Sequence, residues 1–151
     1  MTVHHQYAHI AYRAYRGQVS DLDDDSTDIR VALLDEGHEE NIDDHESWAD
    51  VAADEIDAAE NDGYSEDGQL VDNIALLGPD GRVVTFDADD VVWEDSSMAA
   101  GYAVLYDDTP SDDADKTILT LIDFEGEETS NEGDFTIQWN EDGIFEVDTD
   151  P

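Results

Sequence analysis

A formal net charge of −38 on 151 residues constrains this chain more than any motif in it. The sequence holds 43 Asp and Glu against 5 Lys and Arg. Like charges at that density repel one another and loosen a compact state. Concentrated salt removes the difficulty, because the screening length falls to about 3 Å at 1 M. The other outcome of high charge is disorder, which goes with few apolar and aromatic residues. Here 39% of residues are hydrophobic and 9% aromatic, and they fall in short strand-like runs. The sequence therefore reads as a folded protein of a high-salt milieu.

The length suits one domain with one core. There is no cysteine, so neither disulfides nor thiolate metal sites contribute. No apolar run approaches the ~20 residues of a membrane helix. The first 17 residues carry His4, His5, Arg13 and Arg16 without an apolar signal core, so a Sec-type secretory route is not expected. Nucleic acid and anionic membranes both require a basic footprint, and only Arg13, Arg16, Arg30, Arg82 and Lys116 are available. Cations and cationic patches on other proteins remain as partners.

Residues 4–16 read as a helix, with Tyr7, Ile10 or Ala11, Ala14 and Tyr15 at three- and four-residue spacing and Gly17 as its stop. Arg13 and Arg16 suit its negative C-terminal end. After an acidic loop, residues 28–34 read as a strand. Residues 46–52 read as a helical turn with Trp48, Val51 and Ala52 on one side. Residues 55–58 fit either a helix or an edge strand. From Gln69 onward the pattern is β. Residues 69–77 are a run, 78–81 a turn, and 82–87 and 90–93 are strands. Residues 98–106 read as a strand buried on both faces, with Gly101 marking a bulge or a close backbone contact. Residues 107–115 read as a solvated loop. Residues 117–124 alternate Ile118, Thr120 and Ile122 against Leu119, Leu121 and Asp123. Residues 135–139 and 144–147 read as a hairpin closed by the turn at 140–143.

The expected class is mainly β: a single antiparallel β-sandwich, jelly-roll-like, with a short N-terminal helix and one further helical turn over an edge or end. The expected organisation is a helix over 1–17, a sandwich domain over 18–147 and a fraying tail over 148–151.

Candidate chemistry is sparse. Asp21, Asp23 and Asp25 occupy the opening ligand positions of a calcium loop, but Ser26 stands where the turn needs Gly and Ala32 where a bidentate Glu belongs. Asp87, Asp89 and Asp90 offer a second acidic group. Both sets fit a diffuse atmosphere of monovalent or divalent cations better than a specific site. His5 and His9, four apart on the predicted helix, resemble a metal pair that His38 and His45 would complete. With no further ligand motif, no metal or cofactor is expected. Trp48, Trp93 and Trp139 would suit a sugar platform, yet each sits in an apolar context that favours packing. No nucleophile elbow or phosphate loop is present, so no enzyme is expected.

Several segments in order resemble a family of small β-rich virion structural proteins of tailed viruses. Residues 28–34 and 45–51 resemble its opening. Residues 84–93 (VTFDADDVVW) and 101–108 (GYAVLYDD) resemble its middle, and residues 121–124 and 133–140 (GDFTIQWN), ending at 143–145, its close. The likeness runs from about Tyr12 to Val147. It implies a part of a virus particle, a capsid decoration, vertex turret or tail appendage, and it carries no catalytic motif. Together with the charge it points to a tailed virus of a haloarchaeon.

The expected role is thus a decoration or turret subunit on the outer capsid surface, made in the host cytoplasm, assembling with itself in a ring and with the major capsid protein. Tyr7, Tyr12, Arg13, Tyr15 and Arg16 are the expected assembly contacts, since aromatic and Arg residues are enriched at interfaces and Arg bridges acidic partners. The alternatives are a tail or baseplate protein touching a host surface receptor, and a carbohydrate- or cation-binding module.

Overall fold

The computed structural model describes residues 3–5, 9–81 and 83–148. Among them the chain is mainly β, with antiparallel pairing throughout, two short α-helices and a sandwich-like layering. The strands are β1 (Val3–His5), β2 (Ile29–Leu34), β3 (Gln69–Leu70), β4 (Ala75–Asp80), β5 (Val83–Asp87), β6 (Val91–Ser96), β7 (Ala99–Asp107), β8 (Ile118–Thr129), β9 (Gly133–Ile137) and β10 (Phe145–Asp148). The helices are α1 (His9–Tyr15) and α2 (Trp48–Val51). A five-stranded sheet runs β1-β8-β7-β2-β3, beside a three-stranded sheet β10-β5-β4 and a pair β6-β9.

Side chains alternate across a strand, and the central strands use both faces. In β2, Ile29, Val31 and Leu33 join one buried cluster, while Ala32 and Leu34 join another. In β7, Ala103 and Leu105 go to the first cluster and Val104 and Tyr106 to the second. The first cluster is shared with Phe86 of β5, Trp93 of β6 and Phe135 and Ile137 of β9, so the small sheets cover that face. Trp48 and Val51 of α2 cover the other. The Trp48 and Tyr106 rings stack there at 4.6 Å, 6° from parallel. This explains why the run at 98–106 has no polar face.

The N-terminal segment differs from its predicted form. Residues 3–5 are not helical but add β1 to the open edge of β8, His4 opposite Ile122. Edge pairing satisfies backbone groups that a short exposed helix would leave to water. Among the described residues the helix spans His9–Tyr15 and stops where expected, while residues 6–8 of the predicted helix lie outside the described residues. Gly17, at φ +73°, donates to Ala14 O at 3.0 Å, and Gln18 donates to Arg13 O at 2.9 Å, the two bonds of a Schellman cap.

Four further expectations are corrected. The run at 69–77 is two strands: β3 belongs to the large sheet and β4 to the three-stranded one. The alternation in β8 slips, because Leu105 faces Thr120 while Tyr106 faces Ile118. That bulge moves Leu121 to the α2 side with Ile118, and Ile122 to the first cluster with Leu119. Residues 135–139 and 144–147 do not form a hairpin: the turn closes, with Asn140 bridging Gly143, but Ile144 then donates to Phe86 O at 2.8 Å and β10 pairs with β5, while β9 pairs with β6. Finally, the loop predicted at 107–115 begins one residue late, since Asp107 ends β7 fully buried and accepts from Ser20 N at 2.8 Å and Thr109 N at 3.1 Å. Of the tail at 148–151, Asp148 ends β10 and 149–151 lie outside the described residues.

Gly101 is both of the things expected of it. The register shifts between Ala100 and Tyr102, and a Cβ at Gly101 would stand 2.3 Å from Glu36 Cα.

Candidate functional site

Helix α1 has no fully buried residue. Among the described residues, three of its side chains hold it to the body. Ile10 packs against the large cluster. His9 Nδ1 lies 2.9 Å from Glu46 Oε1, and its Nε2 lies 2.9 Å from Asp43 O. The Arg13 guanidinium donates to Ala114 O at 3.2 Å and Thr117 Oγ1 at 3.3 Å, and reaches Glu46 Oε2 at 3.5 Å. Arg13 is therefore engaged within the chain as a clamp on the helix.

The outward side of α1 carries the rest of the predicted set. Tyr12 is 57% exposed and Tyr15 93% exposed. Arg16 donates to the Tyr12 hydroxyl at 3.1 Å, with its guanidinium carbon 5.3 Å from the Tyr12 ring centroid. The cation thus lies over a π face in water, an arrangement worth about 0.5–1 kcal/mol. Tyr7 lies outside the described residues. Further exposed apolar side chains, which the sequence did not suggest, lie on edge strand β4, at Leu76 and Leu77.

Most of the acidic candidates accept hydrogen bonds from the fold. Asp21 accepts from Asp23 N at 2.9 Å and Asp23 from Leu76 N at 3.2 Å. Asp25 is exposed on the same loop. The neighbouring Asp24 is the carboxyl held below the usual range, by hydrogen bonds from the Ser26 amide and hydroxyl. Asp87 accepts from Ala88 N, Asp89 from Asn73 Nδ2 at 2.6 Å, and Asp90 from Trp139 N at 2.9 Å. With Asp89 O accepting Trp139 Nε1–H at 2.9 Å, residues 89 and 90 fasten an indole. Trp48, Trp93 and Trp139 are all buried, so their faces serve packing.

The histidines regroup. His5 stands in β1, not on a helix with His9, and His9 is engaged with Glu46 and Asp43. His38 and His45 do come together, with ring centroids 5.6 Å apart. Sequence reasoning missed their companions: Asp54, 2.7 Å from His38 Nδ1, and Tyr102, edge-on to His38 at 5.1 Å. Nothing in a polar loop signals that its His will be buried. Among the described residues no three His, Cys, Asp or Glu form a metal-holding group, and no helix is long and apolar enough to cross a membrane.

No known protein family, curated protein or solved structure matches this chain.

Proposed function

We propose that the chain is a structural subunit of a virus particle that works in brine, a decoration or turret protein on the outside of a tailed-virus head in a haloarchaeal host. The observation that carries this reading is the outward face of α1. Tyr12, Tyr15 and Arg16 stand exposed on a short helix that Arg13, His9 and Ile10 clamp to a rigid β body. Aromatic residues and Arg, held rigid, are the groups from which interface anchors are made. On an anionic surface, Arg16, bonded among the described residues to a tyrosine rather than to a carboxylate, is a cation ready for an acidic neighbour. The order of strand segments that resembles small virion proteins agrees with this, as does the −38 charge. The partners are further copies of the chain, in a ring, and the major capsid protein.

The test is mass spectrometry and imaging of particles purified in high salt. The chain is expected on the head in many copies, in a multiple set by the capsid symmetry. A chain found only as a free monomer in the host cytoplasm overturns the reading, and a few copies at the tail tip move it to the baseplate.

A further inference from the structure

His38 is the exception in a wet acidic loop. Asp35, Glu36, Gly37 and Glu39 around it are exposed, yet the His38 side chain is fully buried. Its Nδ1 lies 2.7 Å from Asp54 Oδ2. A carboxylate accepts, so Nδ1–H donates, and the neutral ring then carries its lone pair on Nε2. His38 Nε2 is buried with no hydrogen-bond partner, and so is His45 Nδ1. Two desolvated ring nitrogens left unbonded would cost about 1–3 kcal/mol each. Native structures hold few such atoms, and each calls for a reason.

A divalent transition metal supplies one. Such ions take imidazole nitrogen at about 2.0–2.1 Å. A ring centroid then sits about 3 Å from the metal, and two rings at a tetrahedral angle stand about 5 Å apart. The observed separation of 5.6 Å is close to that spacing. Asp54 behind His38 is the carboxylate–histidine arrangement that fixes the tautomer and orientation of a metal-bound ring. Beside His45 opens a cavity of about 470 Å³, lined by Gly37, Glu39, Glu40, Asn41, His45 and Asp54.

We propose that His38 Nε2 and His45 Nδ1 bind one divalent transition-metal ion of the Zn²⁺, Co²⁺ and Ni²⁺ class, with water completing its coordination. The ion pins the loop at 35–45 to the body next to α2. Imidazole also gives selectivity where brine and 43 carboxylates would otherwise favour hard cations, because Mg²⁺ and Ca²⁺ take oxygen ligands.

The experiment is a Co²⁺ titration of the full chain in molar KCl with Mg²⁺ in large excess, so that diffuse carboxylate binding is already saturated. It is read by calorimetry and by the visible absorption of Co²⁺. One saturable equivalent per chain is expected, weakened at least tenfold in His45→Gln and in His38→Gln, and displaced by Zn²⁺. Because His38→Gln changes a buried residue, imidazole proton NMR of the unmodified chain provides a readout free of folding effects. Two imidazole rings are expected to show paramagnetic shifts that saturate at one equivalent. Absence of a saturable equivalent under Mg²⁺, equal binding by His45→Gln, or unshifted imidazole signals would each overturn the proposal.

Discussion

Tyr64 donates its hydroxyl to Glu55 Oε1 at 2.6 Å, while the same hydroxyl oxygen accepts the Leu33 amide at 3.1 Å. Glu55 in turn accepts from Asp67 N at 2.7 Å. One phenol therefore ties a central strand of the large sheet to the segments that wrap its edge. Tyr64→Phe leaves the Leu33 N–H and one carboxylate oxygen without this partner in a largely buried setting. We expect a loss of about 1–3 kcal/mol, measured by urea unfolding in molar salt, with the native circular dichroism retained.

The same pair sets part of the pH dependence. Burial raises the Glu55 carboxyl above the ordinary glutamate range, and the bonds from Tyr64 and Asp67 pull it only part of the way back. A carboxyl raised by folding stabilises the native state below its unfolded pKa, and the contribution is lost as pH rises through the folded value. Asp50 has the opposite sign. Burial would raise it, but hydrogen bonds from Glu46 N, Ser47 N and the Ser47 hydroxyl outweigh that and leave it lowered. Its contribution is present above the ordinary aspartate range and lost as pH falls through the lowered value. Glu55→Gln is therefore expected to raise the unfolding midpoint at neutral pH and to flatten the stability curve just above the glutamate range. Asp50→Asn is expected to lower the neutral midpoint and flatten the curve below the aspartate range. Midpoints measured across pH 2–8 in constant high salt check both signs.

Strand content and the two-faced burial of β7 were legible because they depend on local periodicity. Residues 98–106 hold no charge, and a strand without a polar face must be covered on both sides. Pairing was less legible. The turn at 140–143 is real, yet β9 and β10 separate into different sheets, because Phe86 and Trp93 compete for them from positions distant in sequence. The bulge at Leu119 was hidden for a related reason: alternation continues on both sides of it, and only the partner strand reveals the extra residue. On α1, Arg13 and Arg16 looked equivalent. Their fates differ because Thr117 and Glu46 happen to stand under one turn of the helix and not under the next.

Salt should decide whether the chain folds at all. Arg30 pairs with Asp108 at 2.8 Å, and Lys116 with Asp108 at 2.8 Å and Asp113 at 2.9 Å, so these cations serve a few carboxylates out of 43. The remaining repulsion is left to dissolved ions. Far-UV circular dichroism is expected to show a cooperative loss of β signal on dilution from several molar to ~50 mM KCl, where screening is weak. A signal independent of salt would remove the halophilic premise.

Backbone approach at two glycines gives a sharper stability test. A Cβ at Gly68 would fall 2.0 Å from Val31 O, at φ +82°, and one at Gly101 would fall 2.3 Å from Glu36 Cα. In both cases the obstacle is backbone, which cannot rotate aside. Gly68→Ala combines steric clash with left-handed strain, and Gly101→Ala forces the 35–37 turn off β7. Each is expected to cost about 3 kcal/mol or more, measured as a shifted denaturation midpoint at unchanged m-value.

Arg13 of α1 and Arg16, just past its end, separate folding from assembly. Arg13→Ala removes the clamp to Ala114, Thr117 and Glu46 but leaves Ile10 and His9 in place. It is expected to speed amide hydrogen exchange across 10–17 and to cost only about 1 kcal/mol globally, the value of a modest charged hydrogen-bond set. Arg16→Ala removes a guanidinium whose partner among the described residues is Tyr12. Its exchange pattern is expected to match that of the unmodified chain, and its stability to fall by no more than about 0.5–1 kcal/mol, the value of the contact with Tyr12, read from the unfolding midpoint. If α1 is the docking face, Arg16→Ala combined with Tyr15→Ala lowers occupancy on purified particles while the free subunit stays folded. Full occupancy of that double variant would move the contact elsewhere, and the exposed Leu76 and Leu77 edge of β4 is the next surface to change.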